Sequence, residues 1–296
     1  MRCEITPYKR WEVHQGPLYA MCMTGKGFFS GGADKQVLFH PHQEDLPIEK
    51  MAQFGESIFS IQMIDECLWV GCFSGHCYQI NIKSQEVRKW QAHEGPVFAI
   101  ALLTNGWMAT GGADGKLHIW DVQSQQILRT IWLGEFKIRS LQFLKEENQL
   151  VVAGGDGSLT VLDVPWFNTL HLWESKEDAC YSAVYFPSKG LWISGHKNGN
   201  IRFWKKHESK ALLQIPAHLG AVYDLKLDVK NNILYSCSQD KSLKIWDLSD
   251  LSLLAKWDSF QKQPYRSINK IDVFEDKIHL LGDNGKIDVL KICFFD

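Results

Sequence analysis

The chain is short of the features that mark membrane, helical and catalytic proteins. No stretch approaches the roughly 18 apolar residues of a membrane span, and no long segment keeps the 3.6-residue hydrophobic period of an amphipathic helix. Charge of one sign is missing as well. With 32 Lys+Arg against 34 Asp+Glu the formal net charge is −2, so no global field draws the protein to nucleic acid or to an anionic membrane, and neither is expected as a partner. The opening residues, Met-Arg-Cys-Glu-Ile-Thr-Pro-Tyr-Lys-Arg, lack the apolar run of a signal peptide, which predicts a cytoplasmic protein. Paired C-x₂-C clusters are absent among the eight cysteines, and Cys67, Cys72 and Cys77 have the wrong spacing for a zinc site. Cys22, Cys72, Cys77, Cys180, Cys237 and Cys293 fall in apolar strand-like patterns, which predicts buried free thiols in a reducing compartment.

What the chain does have is a repeat. Gly-Gly-Ala-Asp-Lys-Gln-Val-Leu-Phe-His at 31–40 returns as Gly-Gly-Ala-Asp-Gly-Lys-Leu-His-Ile-Trp at 111–120 and as Gln-Asp-Lys-Ser-Leu-Lys-Ile-Trp-Asp at 239–247. The polar turn residue recurs at Asp34, Ser74, Asp114, Asp156, Asn198, Asp240 and Asn284, at spacings of 40, 40, 42, 42, 42 and 44. A period of about 40–45 residues with a Trp-Asp ending is the mark of four-stranded propeller blades. Seven such units account for nearly all of the 296 residues, which predicts a single all-β domain with repeats at 14–54, 55–92, 93–133, 134–175, 176–217, 218–258 and 259–296.

Within the third unit, residues 96–102, 107–110 and 116–121 read as three strands separated by Gly, Asn or Asp, and 126–133 as a more polar fourth at the outer edge. Asp156-Gly157, Asn198-Gly199 and Asn284-Gly285 supply the left-handed backbone that tight hairpins need. The seventh unit stops after a third strand at 287–294, while residues 8–13 read as a spare strand. The expectation is a seven-bladed β-propeller of four-stranded antiparallel blades in which the N-terminal strand, within residues 1–13, completes the last blade and removes an open edge.

The repeats resemble the WD40-repeat β-propellers along essentially the whole chain. In that family a blade can carry a hydrogen-bonded set: a His before the first strand, a Ser or Thr on the second, the turn Asp, and the Trp ending the third. The resemblance implies the sets His93, Thr110, Asp114, Trp120 and His218, Ser236, Asp240, Trp246. It implies a partial set of His14, Ser30 and Asp34 in blade one, with His40 in the Trp place, and of Ser194, Asn198 and Trp204 in blade five, without an evident His. In blades two, four and seven both donor positions are aliphatic, as Val70 with Ile80, Val152 with Leu162 and Leu280 with Leu290. Losing buried donors together costs far less than losing one. His, Ser and Asp together suggest a hydrolase triad, but a catalytic set is needed once and in a cleft, whereas this set repeats with its Ser inside a strand. No catalytic residue, metal or cofactor is expected.

The resemblance further implies a binding face with three exposed positions per blade. One of these gives Tyr19, Phe59, Phe98, Arg139, Ser182, Tyr223 and Asn269; the other two add Phe73, Lys137 and Lys197 to Pro17, Pro96, Ala33 and Ala113. Large rings and Arg carry most hot spots, so Tyr19, Phe59, Phe73, Phe98, Lys137, Arg139, Lys197 and Tyr223 are the candidate partner-binding residues, suited to a segment with apolar and acidic side chains. Phe59 and Phe98 could instead pack inward between blades. The composition of His40, His42, Glu44 and Asp45 is that of a metal cluster, but the pattern places it in a polar loop without ligand spacing. His196 and His207 read as exposed and solvated, and Trp132, Trp166 and Trp173 have no place in the repeat.

These features point to a monomeric, non-enzymatic scaffold or adaptor holding a peptide or a subunit partner, alone or within a multi-subunit complex. Two alternatives stand beside it: a modified-lysine reader with an aromatic cage, and an enzyme with a central-channel site built from Glu56, Asp224 or Asp272.

Overall fold

The architecture is that of a computed structural model, which describes residues 2–43, 45–175, 178–258 and 267–295. All regular structure among them is strand, apart from one 3₁₀ turn at Pro187–Lys189. Among the described residues no helix is long and apolar enough to cross a membrane. The strands form seven four-stranded antiparallel sheets. Blade three is representative: Val97–Leu102, Trp107–Gly112, Lys116–Asp121 and Ile127–Trp132 pair in sequence order.

The chain divides into two compact units. Tyr19–Ala179 holds blades one to four; residues 1–18 and 180–296 hold blades five to seven. In both, burial grades across a blade. Second strands such as Gly27–Gly32 and Ile233–Ser238 are buried at every residue, because a middle strand has a neighbouring sheet on each face, and its sequence is accordingly apolar or small on both faces. Fourth strands are the most exposed, as in Val87–Gln91 and Ile127–Trp132. The core is a series of clusters between consecutive sheets, such as Val37, Ile58, Leu68 and Ile80 and Leu117, Ile138, Leu150 and Leu162. The aliphatic pairs replacing polar donors belong to such clusters: Val70 with Ile80, Val152 with Leu162 and Leu280 with Leu290.

The last blade takes its fourth strand from the N-terminus, as the repeat count requires. That strand is longer than residues 8–13, running Arg2–Glu12 against Lys286–Phe295, from Arg2 opposite Phe295 to Glu12 opposite Lys286. Arg10 grips the buried Asp288 carboxylate with two hydrogen bonds of 2.5 and 2.8 Å. This registers the first and last strands by charge as well as by backbone.

First strands carry a second regularity that no composition rule reveals. In blades two to seven the pairing with the second strand slips after the first residue, between Ile58/Ser60, Val97/Ala99, Ile138/Ser140, Cys180/Ser182, Val222/Asp224 and Ile268/Lys270. The skipped residue is a β-bulge, whose side chain is re-aimed out of the pleat.

All eight cysteines are free thiols. Five of the six expected to be buried are so, and burial pushes the Cys77 thiol up to about 12. Cys293 corrects the expectation: it is exposed, because it lies opposite Glu4 on the outer side of the pleat while its neighbour Phe294 packs on the core.

Candidate partner-binding surface

The polar residues of blade three form one connected set. Trp120 Nε1 donates to Thr110 Oγ1 at 2.9 Å, so the Thr110 hydroxyl is left to donate to His93 Nε2, also 2.9 Å away. His93 Nδ1–H then faces Asp114 Oδ1 at 3.0 Å, and the same carboxylate accepts the amides of Glu94 and Lys116 at 3.0 and 3.1 Å. Blade six repeats this: Trp246 Nε1 to Ser236 Oγ at 2.9 Å, Ser236 to His218 Nε2 at 2.8 Å, and His218 Nδ1 to Asp240 at 3.1 Å. A strand, the turn before the third strand and the loop before the first are thereby tied at one point.

Blades one and five differ from expectation in instructive ways. In blade five, Trp204 Nε1 donates to Ser194 Oγ at 2.7 Å, and Ser194 contacts His196 Nε2 at 2.8 Å. His196 is therefore not a solvated surface residue; it is fully buried, two residues after Ser194 on the same face of the strand, and supplies the imidazole from within the sheet. Arg202 lies 3.2 Å from its Nδ1. Asn198 is exposed and accepts the Asn200 amide at 3.1 Å. In blade one, Ser30 Oγ meets His40 Nε2 at 2.7 Å, while His14 is buried and Asp34 half-buried, its Oδ1 accepting the Gln36 amide at 3.3 Å. His40 is thus a buried strand residue rather than part of a polar loop, and His42 is turned to the Thr24 carbonyl at 2.9 Å. Glu44 lies outside the described residues. His207 is exposed; Trp132 and Trp166 are exposed and Trp173 is buried.

Burial pulls the His218 imidazole below its ordinary pKa, outweighing the attraction of Asp240. For Asp240 burial acts upward, but the hydrogen bonds from His218, Ser242 and the Leu219 amide outweigh it and hold the carboxyl far below the usual range. As pH falls below about 6.5 the unfolded chain takes up the histidine proton before the folded one does; below about 4 it takes up the aspartate proton first as well. Both effects remove stability on acidification. Urea midpoints are therefore expected to fall from pH 7 to pH 5 and more steeply below pH 4, whereas a flat profile over that range would contradict the buried neutral imidazole.

The bulge residues Phe59, Phe98 and Arg139 meet Tyr19 of the first strand of blade one. Tyr19 stacks on Phe59 with centroids 4.9 Å apart and planes at 8°; Phe59 meets Phe98 edge-on at 5.4 Å; the Arg139 guanidinium lies over Phe98 at 4.9 Å. Blades one to four thus contribute one group each to a continuous row, flanked by Phe73, 58% exposed and 6.1 Å from Phe59. Phe59 and Phe98 are half-buried, and Lys137 is exposed. Beside Phe73, Glu56 accepts the Ser74 amide at 2.8 Å, and its other oxygen lies 2.8 Å from His76 Nδ1 and 3.1 Å from Tyr78 Oη. The spacing of Glu56 in the sequence does not show these partners, which come from the turn at Ser74 and from the strand His76–Asn81.

In the other unit Tyr223 meets Tyr181 edge-on at 5.3 Å. The blade-five bulge residue is Tyr181, not Ser182, which is buried; counting from apolar residues placed this position one residue late. Asn269 is not presented for binding, since its amide donates to the Leu18 carbonyl at 2.9 Å. Lys197 is exposed. Asp224 and Asp272 are each paired with a lysine, Lys270 at 3.2 Å and Lys226 at 3.3 Å.

Comparison with known proteins agrees with this architecture. The family model described as "WD domain, G-beta repeat" matches residues 84–121 and 209–247. The target of rapamycin complex subunit wat1 of Schizosaccharomyces pombe is 26% identical over 60% of this chain and 59% of its own length. Mouse striatin-4 is 26% identical over 98% of this chain but 36% of its own, so the chain spans less than two thirds of the length of these two relatives. Eukaryotic translation initiation factor 3 subunit I of Culex quinquefasciatus is 24% identical over 74% of this chain and 69% of its own. The crystal structure of the WD40 propeller domain of Doa1 superposes with a TM-score of 0.85 over 97% of each chain at 15% identity. The fold is a seven-bladed β-propeller of four-stranded antiparallel blades, and two of its repeats match the WD40 family model.

Proposed function

We propose that this chain is a non-enzymatic scaffold that holds a protein partner on the row Tyr19, Phe59, Phe98 and Arg139, with Phe73 and Lys137 at its margin; Tyr223 and Lys197 are proposed as binding residues of the other unit, taken by itself. The row itself carries the reading. Its rings are already packed on one another, so a partner segment gains large apolar contact without paying to order the groups it touches. Arg139 and Lys137 favour a segment with an acidic residue beside its apolar ones. Two relatives bear the names of complex subunits, which supports a partner that is itself a protein, in an assembly to which this chain brings one propeller domain and one copy. The eight free thiols support a reducing, cytoplasmic setting.

The modified-lysine reader is the weaker reading. A cage needs open ring faces for the ammonium group, whereas Tyr19 and Phe59 cover each other and Arg139 covers Phe98. A channel enzyme is weaker again, because Glu56, Asp224 and Asp272 each have a local partner.

The test is affinity capture with wild type and a Phe73→Ala, Lys137→Ala, Arg139→Ala variant that melts like wild type. A partner held by wild type is expected to bind the variant at least about tenfold more weakly, as loss of hot-spot groups implies. Equal binding of the same partner would move the interface off this row.

A further inference from the structure

We propose that the groove between blades five and six docks an acidic peptide segment of a partner protein through one large apolar side chain. The groove lies within the unit of residues 1–18 and 180–296, and the proposal does not rest on the row Tyr19, Phe59, Phe98 and Arg139. It is a pocket of about 200 Å³ with the buried Phe186, Phe203 and Leu248 as its floor and Leu191, Leu213 and Leu251 as its walls. Small-molecule sites run to about 300–1,000 Å³, so this pocket is on the scale of a single side chain. Leu212, at its edge, is 59% exposed.

An internal comparison shows that the groove is open where its counterparts are closed. Between blades two and three, Arg88, opposite Gln79 of the third strand, donates to Gln125 Oε1 at 3.3 Å. Between blades three and four, Arg129, opposite Ile119, donates to the Trp166 carbonyl and lies 5.9 Å from the centre of the Phe167 ring. Gln125 and Phe167 are the positive-φ residues of the next blade's loop, at 60° each, and Leu251 is their counterpart in blade six at 65°. The arginine's place in blade five is taken by Leu213, opposite Phe203. Its side chain has no polar atom with which to bridge to Leu251, and the apolar walls face solvent. Contiguous exposed apolar surface rimmed by polar groups marks a contact site.

Charge selects the occupant. Lys205 stands opposite Leu191 and two residues after Phe203, hence on the face of the sheet that lines the groove. The loop that follows adds Lys206 and Lys210 against Glu208, all exposed. Lys189, in the lining, donates to the Leu248 carbonyl at 2.9 Å and so holds an ammonium group beside the floor. The acidic Asp250 of the lining accepts the Ser252 amide at 2.9 Å. A cationic rim around an apolar pocket is complementary to a segment that carries Asp or Glu beside its apolar anchor. The lips are already fixed, with the Leu212 amide on the Phe203 carbonyl and the Leu248 amide on the Asn232 carbonyl, both at 2.8 Å. Docking therefore orders little of this chain.

The experiment is a display selection of random peptides on the immobilised protein after depletion on a Leu213→Arg variant. That variant installs the arginine of blades two and three, and the depletion removes binders of every other surface. Expected are peptides with a large aliphatic or aromatic residue flanked by Asp or Glu. For a synthetic peptide of the enriched sequence, Leu213→Arg is expected to raise the Kd at least about tenfold, and added salt is expected to raise it for wild type. Enrichment of neutral or basic peptides would overturn the proposal, as would no enrichment. Should Leu213→Arg melt below wild type, depletion and Kd are repeated with Lys205→Glu, Lys206→Glu, Lys210→Glu, all at exposed positions, and an unchanged Kd refutes the site. Phosphatidylserine–phosphatidylcholine vesicles, offered separately, are expected to leave the protein in solution. Sedimentation with them that Leu213→Arg abolishes would assign the groove to a lipid surface and overturn the proposal.

Discussion

Replacing Asp240 by alanine is expected to lower the stability of the protein by about 2–4 kcal/mol, the range for stranding buried donors that had a charged acceptor. Asp240 Oδ1 accepts the Ser242 amide and hydroxyl at 3.0 and 2.6 Å, its Oδ2 accepts the Leu219 amide at 3.0 Å, and His218 Nδ1 lies 3.1 Å away. Alanine leaves the fully buried His218 Nδ1 with only the Ser242 hydroxyl, 3.0 Å away, in place of a carboxylate, strands the Leu219 amide and releases the loop before the first strand of blade six. Asp240→Asn keeps the size and one acceptor oxygen, so its loss is expected to be smaller. Urea unfolding of the three proteins checks this; an alanine variant within about 0.5 kcal/mol of wild type, the scale of an ordinary surface change, would mean that the network contributes nothing net.

Gly115→Ala is expected to cost about 2–5 kcal/mol by a different route. The residue sits at φ +71° in the turn before the third strand of blade three, and a Cβ there would run into the Gly134 carbonyl oxygen. Left-handed backbone costs an L-residue about 1–2 kcal/mol, and overpacking a fixed carbonyl adds about 1–3 kcal/mol. Blade six shows that the first cost alone is tolerated, since Lys241 occupies the same turn at φ 71°. Accordingly Lys241→Gly is expected to change stability by less than about 1 kcal/mol, relieved strain being offset by the looser unfolded chain. Thermal melts of both variants separate the two costs: if Gly115→Ala matches wild type, the carbonyl has moved aside and the close approach is not a constraint.

Much of the fold was legible because it is written twice, in the alternation of strands and in a period of about 40–45 residues that survives when single blades drift. Blades two, four and seven have aliphatic residues at both donor positions and keep their place in the repeat. The sites were less legible. His196 reads as exposed in the sequence because its imidazole reaches Ser194 from inside the strand, while the repeat pattern draws the histidine from the loop before it. Tyr181 was missed by one residue because a bulge shifts the count without leaving a mark in composition. The Glu56 cluster joins a loop residue to two residues of a neighbouring strand and one of the turn between, and sequence distance says nothing about such meetings.

The amino-acid sequence by itself determined the number of blades, the four-strand plan and the completion of the last blade by the N-terminal strand, since each follows from periodicity and from the strands a repeat must contain. Only the tertiary structure decided that Tyr19, Phe59, Phe98 and Arg139 form one row and that Leu191, Phe203, Leu213 and Leu251 line one groove. Those contacts depend on where a bulge aims a side chain and on which faces adjacent strands present, quantities set by packing at the scale of an ångström, to which a repeat pattern is blind.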